Sequence, residues 1–85
     1  MIELNSVLIE GKIFTGADFF KTYNGNCRFT LKSHCNEEIL TVDVFADSAL
    51  LNECQTDRAV KIVGRLKQDK NSNLVIHAEH IEIRQ

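Results

Sequence analysis

The sequence predicts a small all-β domain, a five-stranded barrel with one short helix, on three observations. Segments that alternate apolar and polar residues recur along the chain, the two-residue period of strands with one buried face. Turn-forming residues separate them at short intervals, and only Ala46 to Gln55 spaces its apolar residues helically. The clearest strand, Ala59 to Asp69 (AVKIVGRLKQD), carries Gly64 at its centre. Glycine weakens a strand there unless the sheet bends or another backbone comes close, and a small closed barrel needs a bend.

Strand one is expected from about Glu3 to Phe14, with Val7, Ile9 and Ile13 on one face and Ser6, Glu10 and Lys12 on the other. Leu4 and Leu8 break the alternation, so the start of this strand is read as covered on both faces, by the core and by a helix or second subunit. Gly11 provides a bend. Phe19, Phe20 and Tyr23 precede Asn24-Gly25, a strong hairpin signal because a type I′ turn needs positive φ at both central residues. Strand two, Cys27 to His34, turns Cys27, Phe29 and Leu31 inward and Arg28, Thr30 and Lys32 outward.

His34 to Glu38 forms a short turn into strand three, where Leu40, Val42 and Val44 alternate with Thr41, Asp43 and Phe45, placing Phe45 outside. The helix follows over Ala46 to Gln55, with Asp47 or Ser48 capping its first turn. Strand four, Ala59 to Asp69, buries Val60, Ile62 and Leu66 and exposes Lys61, Val63, Arg65 and Lys67. Lys70 to Asn73 closes a second hairpin. Strand five holds Leu74, Ile76 and Ala78 on one face before Ile81 and Ile83 become the apolar set, which predicts a bulge near Glu79-His80. Three strands, a helix and two strands are the layout of an OB-fold, a Greek-key barrel, here one domain over residues 1–85.

Ten Lys and Arg against 12 Asp and Glu give a net charge of −2, so a polyanion site must be a local patch. Cys27, Cys35 and Cys54 are odd in number and widely spaced, which argues against a disulfide framework. No apolar run has the length of a membrane helix and the first residues lack a signal-peptide pattern, so the expected location is the cytoplasm, with no membrane partner.

Several runs resemble the bacterial single-stranded DNA-binding protein family: LNSVLIEGKI, then CRFTLKS after the Asn-Gly turn, VDVFA, VKIVGRLKQDK and VIHAEHIEI. Together they span nearly the whole chain, and its close is also similar to the paralogous primosomal replication protein N. The resemblance implies an OB-fold that dimerises and binds single-stranded nucleic acid on its curved outer face, acting in replication, recombination or repair. Family members stack bases on exposed aromatics, often Trp, and this chain has no Trp. By motif, the aromatic ending strand three is kept as Phe45, whereas Ile39 and Asn71 stand at two other aromatic positions. The family's acidic tail, which recruits other enzymes, has no counterpart after Arg84-Gln85, so recruitment by that route is not expected.

The expected binding residues are Arg28, Thr30, Lys32, Phe45, Lys61, Arg65, Lys67 and Lys70, with Tyr23 from the first hairpin loop. Cations would follow phosphates while a ring stacks a base; the alternative is an ordinary solvated sheet face. His34, His77, His80 and the cysteines show no metal-ligand spacing, and no nucleophile and base stand at a catalytic spacing, so neither metal, cofactor nor enzymatic activity is expected. The expected function is sequence-independent binding of single-stranded DNA, with RNA as the other single strand, by a homodimer or tetramer. The competing reading is a degenerate, accessory protein-interaction module with little or no nucleic-acid binding.

Overall fold

The computed structural model describes residues 4–15, 26–47, 49 and 54–84. Five strands run in chain order: β1 (Val7–Thr15), β2 (Asn26–Cys35), β3 (Glu38–Asp47), β4 (Ala59–Gln68) and β5 (Leu74–Arg84). They close a barrel in the order β1-β2-β3-β5-β4, all neighbours antiparallel except β3 and β5. Inside it Ile13, Cys27, Phe29, Leu31, Val44, Val60, Ile62 and Ile76 are buried together with Ala46 and Cys54. A large apolar side chain so buried stabilises the fold by about 1.5–3 kcal/mol.

The expected inward faces of β1 and β2 are borne out, including the outward turn of Arg28, Thr30 and Lys32. Gly64 is buried where β4 meets β5: an added Cβ would stand 2.4 Å from the His77 carbonyl oxygen. The register slips beside it, from Val63↔His80 to Gly64↔Ala78, leaving Glu79 as the extra residue of the expected bulge. Gly11 allows an equal approach to Lys32, whose carbonyl oxygen would lie 2.4 Å from an added Cβ.

Four expectations are corrected. β1 starts at Val7 because the Asn5 side chain replaces the ladder: its Nδ2 donates to the Leu66 carbonyl at 2.8 Å and its Oδ1 accepts from the Leu66 N–H at 3.0 Å. The turn between β2 and β3 shrinks to Asn36-Glu37, with Asn36 at φ 57°, a left-handed conformation asparagine tolerates. Ala46 and Asp47 belong to β3 rather than to a helix. Asp47 does accept the Ala49 N–H at 2.9 Å, but residues 48 and 50–53 of the expected helix lie outside the described residues, as does the Asn24-Gly25 turn. Finally, Leu40, Leu66 and Leu74 are exposed despite their inward parity. They lie where the β2–β3 and β4–β5 hairpins run past the barrel and lack a second neighbouring strand.

Candidate nucleic-acid interface

Barrel closure lays one row of outward side chains across four strands. Arg65 on β4 pairs with His77 on β5, His77 with Phe45 on β3, and Phe45 with Arg28 on β2. Their chain neighbours Gly64, Ile76, Val44 and Phe29 are the buried ones, so the row belongs to the outer face. Phe45 is half-buried, and the Arg28 guanidinium carbon lies 5.2 Å from its ring centroid, within cation–π range.

Arg28 is held from two further sides. Its Nε and Nη2 donate to Oδ2 of Asp43, the former at 3.0 Å, while Thr30 Oγ1 donates to the other carboxylate oxygen at 3.1 Å. Nη2 also stands 4.0 Å from Asp69. Asp69 in turn organises the β4–β5 turn by accepting the N–H groups of Asn71 at 2.8 Å and Asn73 at 3.0 Å. The Asn73 N–H above all, with the Asn71 N–H and nearby Arg28, holds the Asp69 carboxyl below its ordinary range.

Between this turn and the Phe45 row opens a groove of about 430 Å³, lined by Arg28, Phe45, Lys67, Asp69, Lys70 and Val75 among others. Its floor has an apolar residue that the strand pattern did not single out: Val75 is 3% exposed although it pairs with outward Lys67. The three successive apolar residues of Leu74-Val75-Ile76 were the available signal, since such a run marks a strand covered on both faces. His77 was also missed as a row member, though it lies one residue beyond buried Ile76.

The expected residues thus divide. Arg28, Phe45, Lys67 and Lys70 line the groove, Thr30 reaches it only through the Asp43 carboxylate it shares with Arg28, and Arg65 continues the Phe45 row, where it also meets Glu79 at 3.4 Å. Lys32 does not join them: its Nζ lies 5.5 Å from the Phe14 ring centroid, in a separate cleft with Lys12 and Arg84. Lys61 is also apart, paired between Glu10 of β1 and Glu82 of β5, because its half of β4 faces those strands. Tyr23 lies outside the described residues.

Five strands closed in the order β1-β2-β3-β5-β4, with a parallel β3–β5 pair, make this chain an OB-fold protein. Solved structures share that fold over nearly their whole length. The chain is similar to the small single-stranded DNA-binding protein of Streptomyces coelicolor (22% identity, TM-score 0.80, covering 99% of this chain and 96% of that one). It is likewise similar to the dimeric N-terminal domain of PriB from Thermoanaerobacter tencongensis (23%, TM-score 0.78, 95% and 97%). A third likeness is to the Plasmodium falciparum single-stranded DNA-binding protein in complex with single-stranded DNA (16%, TM-score 0.76, 100% and 98%). No family model and no curated protein sequence matches the chain.

Proposed function

We propose that the chain binds single-stranded DNA without sequence preference, using the Phe45 row and the groove beside it, and works in the cytoplasm in replication, recombination or repair. The observation that carries this reading is an outward aromatic ring flanked by Arg28 and His77, above a groove edged by Lys67 and Lys70. A base stacked on the ring would leave its phosphates among these cations. The neighbours that share the fold include a single-stranded DNA complex, which supports the same ligand class.

We also infer a homodimer. Val7 to Ile9 of β1 pair with β4 on one edge, and among the described residues no strand covers the other; β2 comes alongside at Glu10, whose carbonyl accepts the Ser33 hydroxyl, and at Gly11, which packs on the Lys32 backbone. Leu8, 66% exposed, stands beside Val63 on the outer face, with Leu4 also exposed. An open edge next to apolar side chains suits pairing with a second copy, and the PriB neighbour is dimeric.

The test is a fluorescence-anisotropy titration with labelled oligo-dT at several salt concentrations. Lys67→Gln is expected to weaken binding and flatten the plot of log K against log salt by about 0.7. Phe45→Ala is expected to lose about 1–3 kcal/mol with the slope nearly unchanged, because a stacked ring releases no counterions. No binding by the parent protein at low salt would remove the proposal. The protein-interaction reading draws on one observation, the engagement of Arg28 by Asp43, which offsets the groove's central cation. Loss of oligo-dT binding with folding intact would favour it.

A further inference from the structure

Along β2 from Arg28, the β2–β1 seam carries a second aromatic and cationic zone. Lys12 and Lys32 are directly opposed in the ladder, a like-charge pairing that costs stability. Among the described residues neither has an ion-pair partner, nor does Arg58. Arg58 is fixed nearby because its carbonyl accepts the Ile13 N–H at 3.0 Å. Lys12, Arg58 and Arg84 line one cleft of about 600 Å³, while Lys12, Lys32, His34 and Arg84 line an adjoining one of about 630 Å³. The carboxylates in these clefts are Glu10, which pairs with Arg84 at 3.3 Å, and Asp57.

Phe14 stands at this zone, 57% exposed, under the Lys32 ammonium. The pair repeats the arrangement of Phe45 under Arg28, and both cations belong to the outer row of β2, with Thr30 between them. Four residues of strand separate them by about 13 Å. The parity that turns Glu10 and Lys12 outward on β1 also turns Phe14 outward, a signal present in the sequence.

Resting on the single-strand reading of the Phe45 groove, we propose that Phe14 with Lys12, Lys32, Arg58 and Arg84 is a second contact zone for the same strand. The strand leaves Phe45, passes Thr30, stacks a further base on Phe14 and lays its phosphates over the Lys12–Arg58–Arg84 cleft. The opposed lysines then gain, on binding, the counter-charge that the fold does not give them.

Anisotropy with oligo-dT of ~4 and ~16 nucleotides, which bracket OB-fold site sizes, separates the two zones. Phe14→Ala is expected to weaken the longer oligonucleotide roughly 5- to 150-fold, the range of one lost stack, and to leave the shorter nearly unchanged. Lys12→Gln should reduce the salt slope by about 0.7 for the longer one only. Phe45→Ala should weaken both. If Phe14→Ala and Lys12→Gln leave both lengths unaffected while Phe45→Ala weakens them, the second zone is overturned and the groove stands. Equal loss at both lengths also overturns it, since Phe14 would then belong to the first contact. No binding of either length by the parent overturns both. Thermal melts confirm that each variant is folded, which the exposure of Phe14 and Lys12 favours.

Discussion

At Gly64 the approach of β5 leaves no space for a Cβ, and the atom in the way is a backbone oxygen rather than a movable side-chain end. Gly64→Val must therefore separate the strands at the bulge or abandon the pairing. Overpacking of this kind costs about 1–3 kcal/mol, which for a domain of this size lowers Tm by at least about 4 °C. A melting scan that overlays the parent would show that the strands part without cost. The sequence already marked this residue, because a glycine inside a well-patterned strand needs a reason. Phe45 was legible in the same way, from its parity beside Asp43. The carboxylate's hold on Arg28 was not, since it depends on the register Arg28↔Phe45 and Thr30↔Asp43 between two strands. Periodicity within one strand contains no such information.

Elements were legible in kind and order, but their ends were set by partners. Leu40, Leu66 and Leu74 keep the apolar period past the point where the barrel has an interior, so pattern alone placed them inside. The β4–β5 turn shows the opposite case, since its residue types announced it while its organiser, Asp69, was assigned to the preceding strand. The lowered Asp69 carboxyl gives this turn a pH dependence with a definite sign. Its contribution to stability is complete above the unfolded-state carboxyl pKa, near 4. It is lost as pH falls through the lower native value. Between about pH 5 and pH 2, urea titrations should show the parent losing more stability than Asp69→Asn, whose side chain does not titrate there. Equal losses would mean that Asp69 ionisation does not support the turn.

For the whole molecule, the alternation of strand one puts Leu4 and Leu8 under a helix or a second subunit, and the barrel leaves both exposed beside an open stretch of β1. Leu8→Glu, a change far from the core, should convert the proposed dimer to a monomer in light scattering at micromolar concentration, with the fold retained. A monomeric parent under the same conditions would rule the dimer out. The barrel's closure has a consequence of its own. The β2–β3 ladder runs from Asn26↔Asp47 to Cys35↔Glu38 and the β4–β5 ladder from Ala59↔Arg84 to Gln68↔Leu74, but β3 meets β5 only at Val44↔Ile76 and Phe45↔His77. The ring is two long arms joined through β1 on one side and by this short clasp on the other, and the Phe45 row lies directly across the clasp. Any occupant touching Arg28 on one arm and Arg65 on the other holds the clasp shut, so occupancy and ring closure reinforce each other.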